Sequence, residues 1–117
     1  MNRITLALGV ALAALAVAVA PVAARPSAAK ATIVTVTMKE FKFILSKKTV
    51  PHGVVRFKLV NKGKLPHDIK IAGKTSKKIA PGKTGFFTVT LKKGKRPYVC
   101  PIPGHAAAGM KGTLTVT

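Results

Sequence analysis

The only cysteine of the 117-residue chain lies in a segment that also carries a histidine and a methionine at equal intervals. In YVCPIPGHAAAGMKG, residues 98–112, four residues separate Cys100 from His105 and four more separate His105 from Met110. Thiolate and thioether sulfurs are soft donors, and together with imidazole they select copper over magnesium, calcium or manganese. The segment therefore predicts a copper site that uses these three side chains.

A blue copper site needs one further histidine, because a cysteine and two histidines form its trigonal plane and a methionine is a long axial ligand. The remaining histidines, His52 and His67, precede and follow a predicted strand at residues 54–60. A strand of that length spans on the order of 20 Å, so only one of them can reach Cys100. Because Pro66 keeps the chain extended at this point, we predict His67 as the ligand and His52 as an exposed turn residue.

Apolar and polar residues alternate along most of the chain after residue 31, which is typical of half-buried antiparallel strands. Turns rich in glycine and proline separate these segments, and one of them is predicted at residues 92–97. We predict an all-β fold, a small Greek-key β-sandwich of about seven to eight short strands. Strands are expected at residues 33–37, 41–45, 54–60, 69–71, 87–91, 98–100 and 111–117.

Residues 1–24 are predicted to be a signal peptide. After Arg3 they are mainly alanine, valine and leucine, and they end in small residues that allow cleavage after Ala24. An uncleaved membrane anchor is the competing interpretation. Residues 25–31 are then a short linker and residues 32–117 a single domain. We expect export to the periplasm or to the extracellular face of the cell envelope.

Several segments of the chain resemble the cupredoxins, the small blue copper proteins that include plastocyanin, azurin, auracyanin and rusticyanin. The segments are LPHDIKI, YVCPIPGHAAAGMKGTLTV, EFKF, VPHGVVRFKLVNKG and IAPGKTGFF. The cysteine, histidine and methionine spacing is closest to the auracyanin and rusticyanin type, and the resemblance covers nearly all of the chain after the signal segment. It implies one mononuclear type 1 copper ion with four ligands, namely His67, Cys100, His105 and Met110.

Two positions beside the predicted ligands depart from this resemblance. Many cupredoxins have asparagine after the first histidine and serine or threonine after the cysteine, where this chain has Asp68 and Pro101. Proline has no N–H and no polar side chain, so any tie made by Asp68 needs another donor. Pro103 likewise cannot donate a hydrogen bond to the thiolate, whereas the backbone N–H of Ile102 can.

The loop that joins Cys100 to Met110, here called the ligand loop, favours electron transfer over metal storage. Pro101, Pro103 and Gly104 stiffen it, which suits a metal that changes oxidation state with little rearrangement. Residues 106–108, three alanines, would place a flat apolar surface around His105 for a brief approach by a partner, or they make only a compact turn. By its resemblance the protein shuttles single electrons between redox partners. A copper-delivery protein and a structural β-sandwich with a vestigial site are the alternatives.

Other chemistry fits the residues less well. Methionine is not among the usual ligands of zinc, and a cysteine nucleophile would need an open cleft and usually a third orienting group. Covalent haem attachment lacks its C-x-x-C-H motif, and a binuclear copper site lacks its second cysteine. Multicopper oxidases and copper nitrite reductases need additional histidines and domains. We therefore do not expect an enzyme.

The chain is strongly basic, with a net charge of +19 from 21 lysines and arginines and only two acids, Glu40 and Asp68. Such a charge favours association with acidic redox partners or attraction to an anionic membrane surface, although the lysines could also simply solvate the strand faces. Nucleic acid is not expected, because the chain has an export signal and its five phenylalanines and one tyrosine form no binding stripe. We expect a monomer.

Overall fold

The computed structural model describes residues 30–117 and, before them, residues 9, 11, 13, 14 and 16. The predicted cleavage site after Ala24 therefore lies outside the described residues, as does most of the predicted linker. Among the described residues, no helix has the length and hydropathy needed to cross a membrane.

Residues 30–117 form nine β-strands in two sheets, which confirms the predicted all-β sandwich. One sheet has the order β2-β1-β4-β7 and the other the order β3-β9-β8-β5-β6. The strands are β1 (Thr32–Lys39), β2 (Lys42–Leu45), β3 (Thr49–Val50), β4 (Gly53–Asn61), β5 (Lys70–Ile71), β6 (Lys74–Thr75), β7 (Thr84–Leu91), β8 (Gly94–Val99) and β9 (Lys111–Val116). Two strands without a predicted counterpart, β3 and β6, are only two residues long, too short to carry an alternating pattern.

The sheets are mixed, whereas the sequence pattern was expected to mark antiparallel strands only. Strand β1 pairs with β4 in parallel, and β3 pairs with β9 in parallel. Alternation along a strand reports which side chains face inward and carries no information on the direction of a neighbour. The direction depends on the path of the chain. After β2 the chain leaves the first sheet, forms β3 in the second sheet and returns as β4, and this connection is long enough for β4 to run parallel to β1.

The predicted turn at residues 92–97 is wrong from residue 94 onward, because β8 begins at Gly94. The turn itself is short, and the Arg96 guanidinium stabilises it by donating hydrogen bonds of 2.9 and 2.8 Å to the carbonyls of Lys92 and Lys93. Pro97 lies within β8 without losing a needed hydrogen bond, since its neighbour β5 ends at Ile71, opposite Tyr98.

Inward-facing apolar side chains of both sheets form one core. Phe57, in the middle of β4, is fully buried and its ring stacks on Phe87 of β7 with 6.3 Å between the ring centroids. Burial of such side chains contributes about 1.5–3 kcal/mol each. Other fully or almost fully buried members of the core are Val34, Val36, Met38, Val55, Leu59, Ile69, Ile71, Leu91, Met110 and Leu114.

Candidate metal centre

The backbone brings Cys100 and Met110 together at one end of the sandwich. Cys100 directly follows β8 and Met110 directly precedes β9, and these two strands form an antiparallel hairpin. The Cys100 N–H donates to the Met110 carbonyl oxygen at 2.9 Å, which extends the ladder by one pair beyond Val99 and Lys111. The two residues are therefore fixed opposite each other by the strands that flank the ligand loop.

A series of tight turns folds the ligand loop back on itself and returns His105 to the cysteine. The His105 N–H donates to the Ile102 carbonyl at 3.1 Å, and the Met110 N–H donates to the His105 carbonyl at 3.0 Å. Gly104 and Gly109 have φ angles of 85° and 114°, which L side chains rarely adopt. The glycines allow a loop of this length to close over the end of the hairpin.

His67 reaches the same place from the connection between β4 and β5. Its backbone forms an isolated antiparallel bridge with Ile79, through hydrogen bonds of 3.2 and 2.8 Å. Strand β5 pairs with β8 so that Lys70 lies opposite Val99. Continuing this register places the residues before β5 beside Cys100, which explains how a histidine 33 positions earlier in the chain meets the cysteine.

The donor atoms of the three side chains converge. Nδ1 of His67 lies 3.2 Å from Nδ1 of His105, which is 3.5 Å from Sγ of Cys100, and all three donors lie within 4.8 Å of one another. Metal ligand distances of about 2.0–2.3 Å would place neighbouring donors of a trigonal site roughly 3.5–4 Å apart. The observed spacing is therefore suited to one metal ion between the three side chains.

Very little of the centre is accessible to solvent. His67 and Met110 are fully buried, Cys100 is 1% exposed, and only His105 retains a small accessible area, at 9%. His105 also packs edge-on against the Phe41 ring, with 5.1 Å between ring centroids. Two imidazoles, a thiol and a thioether in a buried pocket are a donor set for copper, and the centre fits one mononuclear type 1 copper ion.

Other groups around Cys100 take the place of the hydrogen-bond donors that Pro101 and Pro103 lack. Burial raises the pKa of the thiol, and the nearby charge of Asp68 acts in the same direction. The backbone N–H groups of Asp68 and Ile102 act in the opposite direction and lower the pKa of the thiol. The donor to the Asp68 carboxylate is the Cys100 thiol itself, whose Sγ lies 3.7 Å from Oδ1.

Glu40 belongs to the centre, although the EFKF segment that begins with it predicted no role at the metal. Its Oε1 accepts hydrogen bonds of 2.7 Å from the N–H groups of Lys64 and Leu65, and it lies 3.2 Å from Nε2 of His67. Partial desolvation acts to raise the pKa of Glu40, but hydrogen bonds from Leu65, from its own backbone, from Lys64 and from His67 lower it to about 2. The one available signal was its rarity, since the chain has only two acids.

His52 lies outside the centre, at the opposite end of β4. It is exposed, and its Nδ1 lies 2.9 Å from the carbonyl oxygen of Thr117. The structure thus separates the two candidate histidines as the strand length predicted.

Solved structures of copper proteins have the same fold. The most similar include auracyanin B, with a TM-score of 0.66 and 25% identity over 74% of this chain and 89% of that chain. An auracyanin from Roseiflexus castenholzii has a TM-score of 0.63 and 24% identity over 74% and 98% of the respective chains. A copper nitrite reductase from Nitrosomonas europaea has a TM-score of 0.58 and 24% identity over 74% of this chain but only 41% of its own.

A family model confirms the relationship inferred from the segments around the ligands. No curated protein sequence matches the chain. The model of the cupredoxin-like domain, however, matches residues 9–116, and that span includes every strand and all four predicted ligands. Because this match extends over most of the sequence and the solved structures share its fold, the chain belongs to the cupredoxin-like domain family.

Proposed function

We propose that this protein is an exported blue copper protein that carries single electrons between redox partners, with His67, Cys100, His105 and Met110 as the copper ligands. The observation that carries the proposal is the convergence of two imidazole nitrogens and one thiol sulfur within 4.8 Å, in a buried centre that the backbone holds in shape. Bound copper would supply the one-electron chemistry by alternating between its cuprous and cupric states.

The protein contributes rigidity and electrostatics to this chemistry. The hairpin hydrogen bond from Cys100 to Met110 and the turn hydrogen bonds around His105 restrict the ligand loop. The backbone N–H groups of Asp68 and Ile102 lower the pKa of the Cys100 thiol against the effect of burial, and the thiolate is the form that binds the metal. A site that needs little rearrangement between oxidation states suits rapid electron transfer.

The surface around His105 supports a role in docking. A shallow pocket of about 290 Å³ is lined by His105 together with Leu65, Pro66, Ile102 and Lys78. Leu65 is 42% exposed, so the rim is apolar, and the alanines at 107 and 108 are exposed beside it. We infer that a partner contacts this apolar rim over a small interface and that surrounding lysines attract acidic groups on it.

We further propose that the protein is a carrier and not an enzyme. Within residues 30–117 there is one group of three or more potential metal-ligating side chains, and this chain spans less than half of the nitrite reductase chain with which it shares its fold. Export is proposed from the apolar signal-like segment at residues 1–24.

The visible spectrum of the purified protein loaded with copper(II) tests the proposal. We expect intense absorption at about 600 nm that ascorbate bleaches and air or another oxidant restores, because a copper–thiolate centre of this kind absorbs there. Cys100→Ser should abolish this band and leave the copper-free domain folded. A colourless protein that still binds copper(I) tightly would favour copper delivery instead, and a protein that binds no copper would contradict both metal functions.

A further inference from the structure

The two acids of this chain lie in the metal centre, although 21 basic residues are spread over the whole sequence. Asp68 is beside the cysteine, with Oδ1 3.7 Å from Sγ. Glu40 lies on the other side of the centre, with Oε1 3.2 Å from Nε2 of His67. A carboxylate that served only solubility or a surface ion pair would have no reason to lie against a buried imidazole, so Glu40 requires a local explanation.

The loop that follows β4 is shaped to hold the Glu40 carboxylate. The N–H groups of Lys64 and Leu65 both donate to Oε1 at 2.7 Å. Gly63 leaves room for it, because a Cβ at this position would lie 2.5 Å from Oε1 and 2.7 Å from Oε2. The glycine is therefore needed here for space, and any side chain would displace the carboxylate.

A buried asparagine holds this loop in place. Oδ1 of Asn61 accepts a hydrogen bond of 2.8 Å from the Gly63 N–H. Nδ2 of Asn61 donates to the carbonyls of Leu65 and Ile79, both at 2.8 Å. Ile79 in turn forms the backbone bridge with His67. The loop that binds the carboxylate and the segment that carries His67 are thus parts of one hydrogen-bonded unit.

The two nitrogens of His67 face different partners. Nε2 is directed at the Glu40 carboxylate, and Nδ1 is directed at Nδ1 of His105, in the centre. A carboxylate only accepts hydrogen bonds, so the neutral ring must carry its proton on Nε2 and leave the lone pair of Nδ1 free for a metal. We propose that Glu40 is the positioning residue of the centre, which sets the tautomer and ring orientation of His67 and supplies negative charge that favours copper(II) over copper(I).

The inference rests on the proposed function, because His67 must be a ligand for its tautomer to matter. Partners that hold a ligating histidine in this way typically change metal affinity by about 10–100-fold when they are removed. Loss of a negative charge beside the centre should also make copper(I) relatively more stable. We therefore expect Glu40→Gln to weaken copper(II) binding about 10-fold or more and to shift the reduction potential upward.

Two variants and one matched control test this role in the full-length protein. Glu40→Gln removes the charge with little change in shape, and Gly63→Ala retains the charge but displaces the carboxylate. Thr90→Lys, an exposed position on β7 opposite Val54 at the far end of the sandwich, changes the net charge by the same +1 as Glu40→Gln. The control should leave the copper(II) affinity within about twofold of that of the unmodified protein and shift the potential much less.

The tautomer of His67 provides a readout that needs no copper. In the copper-free protein, ¹⁵N resonances of the ring should show a single Nε2–H tautomer, and Gly63→Ala should produce a mixture of tautomers. A pure Nε2–H tautomer in Gly63→Ala would overturn the inference, as would copper affinity and potential in Glu40→Gln that match those of the control. Failure of Glu40→Gln to fold would also overturn it, because Glu40 would then be a structural residue.

The two proposals fail in different ways. An unmodified protein without the copper–thiolate band would contradict the proposed function, whatever the state of Glu40. The unmodified protein can instead show the blue band while Glu40→Gln and Gly63→Ala change neither the spectrum, the potential nor the His67 tautomer. That result would be consistent with electron transfer and would overturn the role of Glu40.

Discussion

His52 and His67 flank the same strand, β4, and meet opposite surroundings at its two ends. His67 is fully buried, with Glu40 at one ring nitrogen and His105 at the other. His52 is exposed, and its Nδ1 is hydrogen-bonded to the carbonyl oxygen of Thr117. Both residues follow a proline in the sequence, and the predicted difference between them came from the extended segment at His67 and the turn at His52. The difference arises from the chain segments that the fold brings to each end.

The two ends also differ in the burial of their side-chain hydrogen bonds. At the metal end, buried and partly buried side chains add to the backbone hydrogen bonds: Asn61 binds the loop after β4, and Glu40 links the same loop to His67. At the far end, the side-chain hydrogen bonds of His52 and Arg96 are exposed. Specific side chains are therefore needed at the metal end, whereas the far end should tolerate substitution.

The largest difference between the two ends should appear in copper binding. His67→Ala should weaken copper(II) binding by more than about 100-fold, because removing a ligand costs more than removing a hydrogen-bond partner of a ligand. His52→Ala should leave the affinity unchanged. Competition with a copper chelator measures both affinities, and the copper-free spectra of both variants establish that they are folded. Loss of binding in His52→Ala but not in His67→Ala would reverse the assignment of the ligand.

Stability should show the next largest contrast. Asn61 is 1% exposed, and Asn61→Ala would remove its hydrogen bonds with the Gly63 N–H and with the carbonyls of Leu65 and Ile79. The Ile79 carbonyl would keep the hydrogen bond from the His67 N–H. We expect a loss of about 2–3 kcal/mol in the free energy of unfolding of the copper-free protein. His52→Ala, which removes an exposed contact, should cost about 0.5 kcal/mol or less. Denaturant unfolding measures both, and equal losses would show that the metal end is not specially dependent on its polar side chains.

The dependence of stability on acid should reveal the contribution of Glu40. Its pKa is about 2 in the folded protein, below the ordinary value of 4.5 that the unfolded chain has, so between these values the unfolded chain binds more protons. The stability that Glu40 contributes is present above pH 4.5 and is lost as the pH falls toward 2. In copper-free protein, the free energy of unfolding should therefore fall less steeply across this window in Glu40→Gln than without the substitution. Parallel curves would contradict the lowered pKa.

The smallest expected effect concerns docking. Lys78 lines the pocket beside His105, whereas Lys92 is exposed directly after β7 at the far end. Lys78→Glu should slow oxidation of the reduced protein by an anionic iron complex several-fold at low ionic strength, because it reverses a charge next to the proposed docking surface. Lys92→Glu makes the same change in net charge and should have a weaker effect. Stopped-flow rates that fall equally in both variants would indicate that only the overall charge matters.

Much of the fold could be predicted because alternation directly reports which side chains are buried. The pattern in β4 and β7 predicted the strands that supply Phe57 and Phe87, and turn residues separated them. The pattern could not predict that β1 lies parallel to β4, since the direction of a neighbour depends on the path of the chain. It also missed the start of β8, where Gly94 and Pro97 resemble turn residues but lie in a strand.

At the metal centre, too, the sequence predicted residue types within one segment but not contacts between distant segments. Soft donors at short spacing in one loop indicated copper, and the structure brings His67 to Cys100 and His105 as the predicted ligand set requires. Glu40 is 27 positions away from His67 and has no partner with a recognisable spacing. Contacts of this kind arise only when separate loops pack against each other, so a motif cannot contain them.

By itself, the sequence determined the donor chemistry, the alternating strands and the strongly basic surface, because each depends on residue types or on neighbours close along the chain. Only the tertiary structure decided how close His67 and His105 lie to Cys100, which groups surround the sulfur and which carboxylate orients His67. Those outcomes depend on angstrom-scale distances between segments far apart in the chain, and such distances are set by strand register and loop packing. In this protein the donor types of the centre come from short sequence segments, and their geometry is a property of the whole fold.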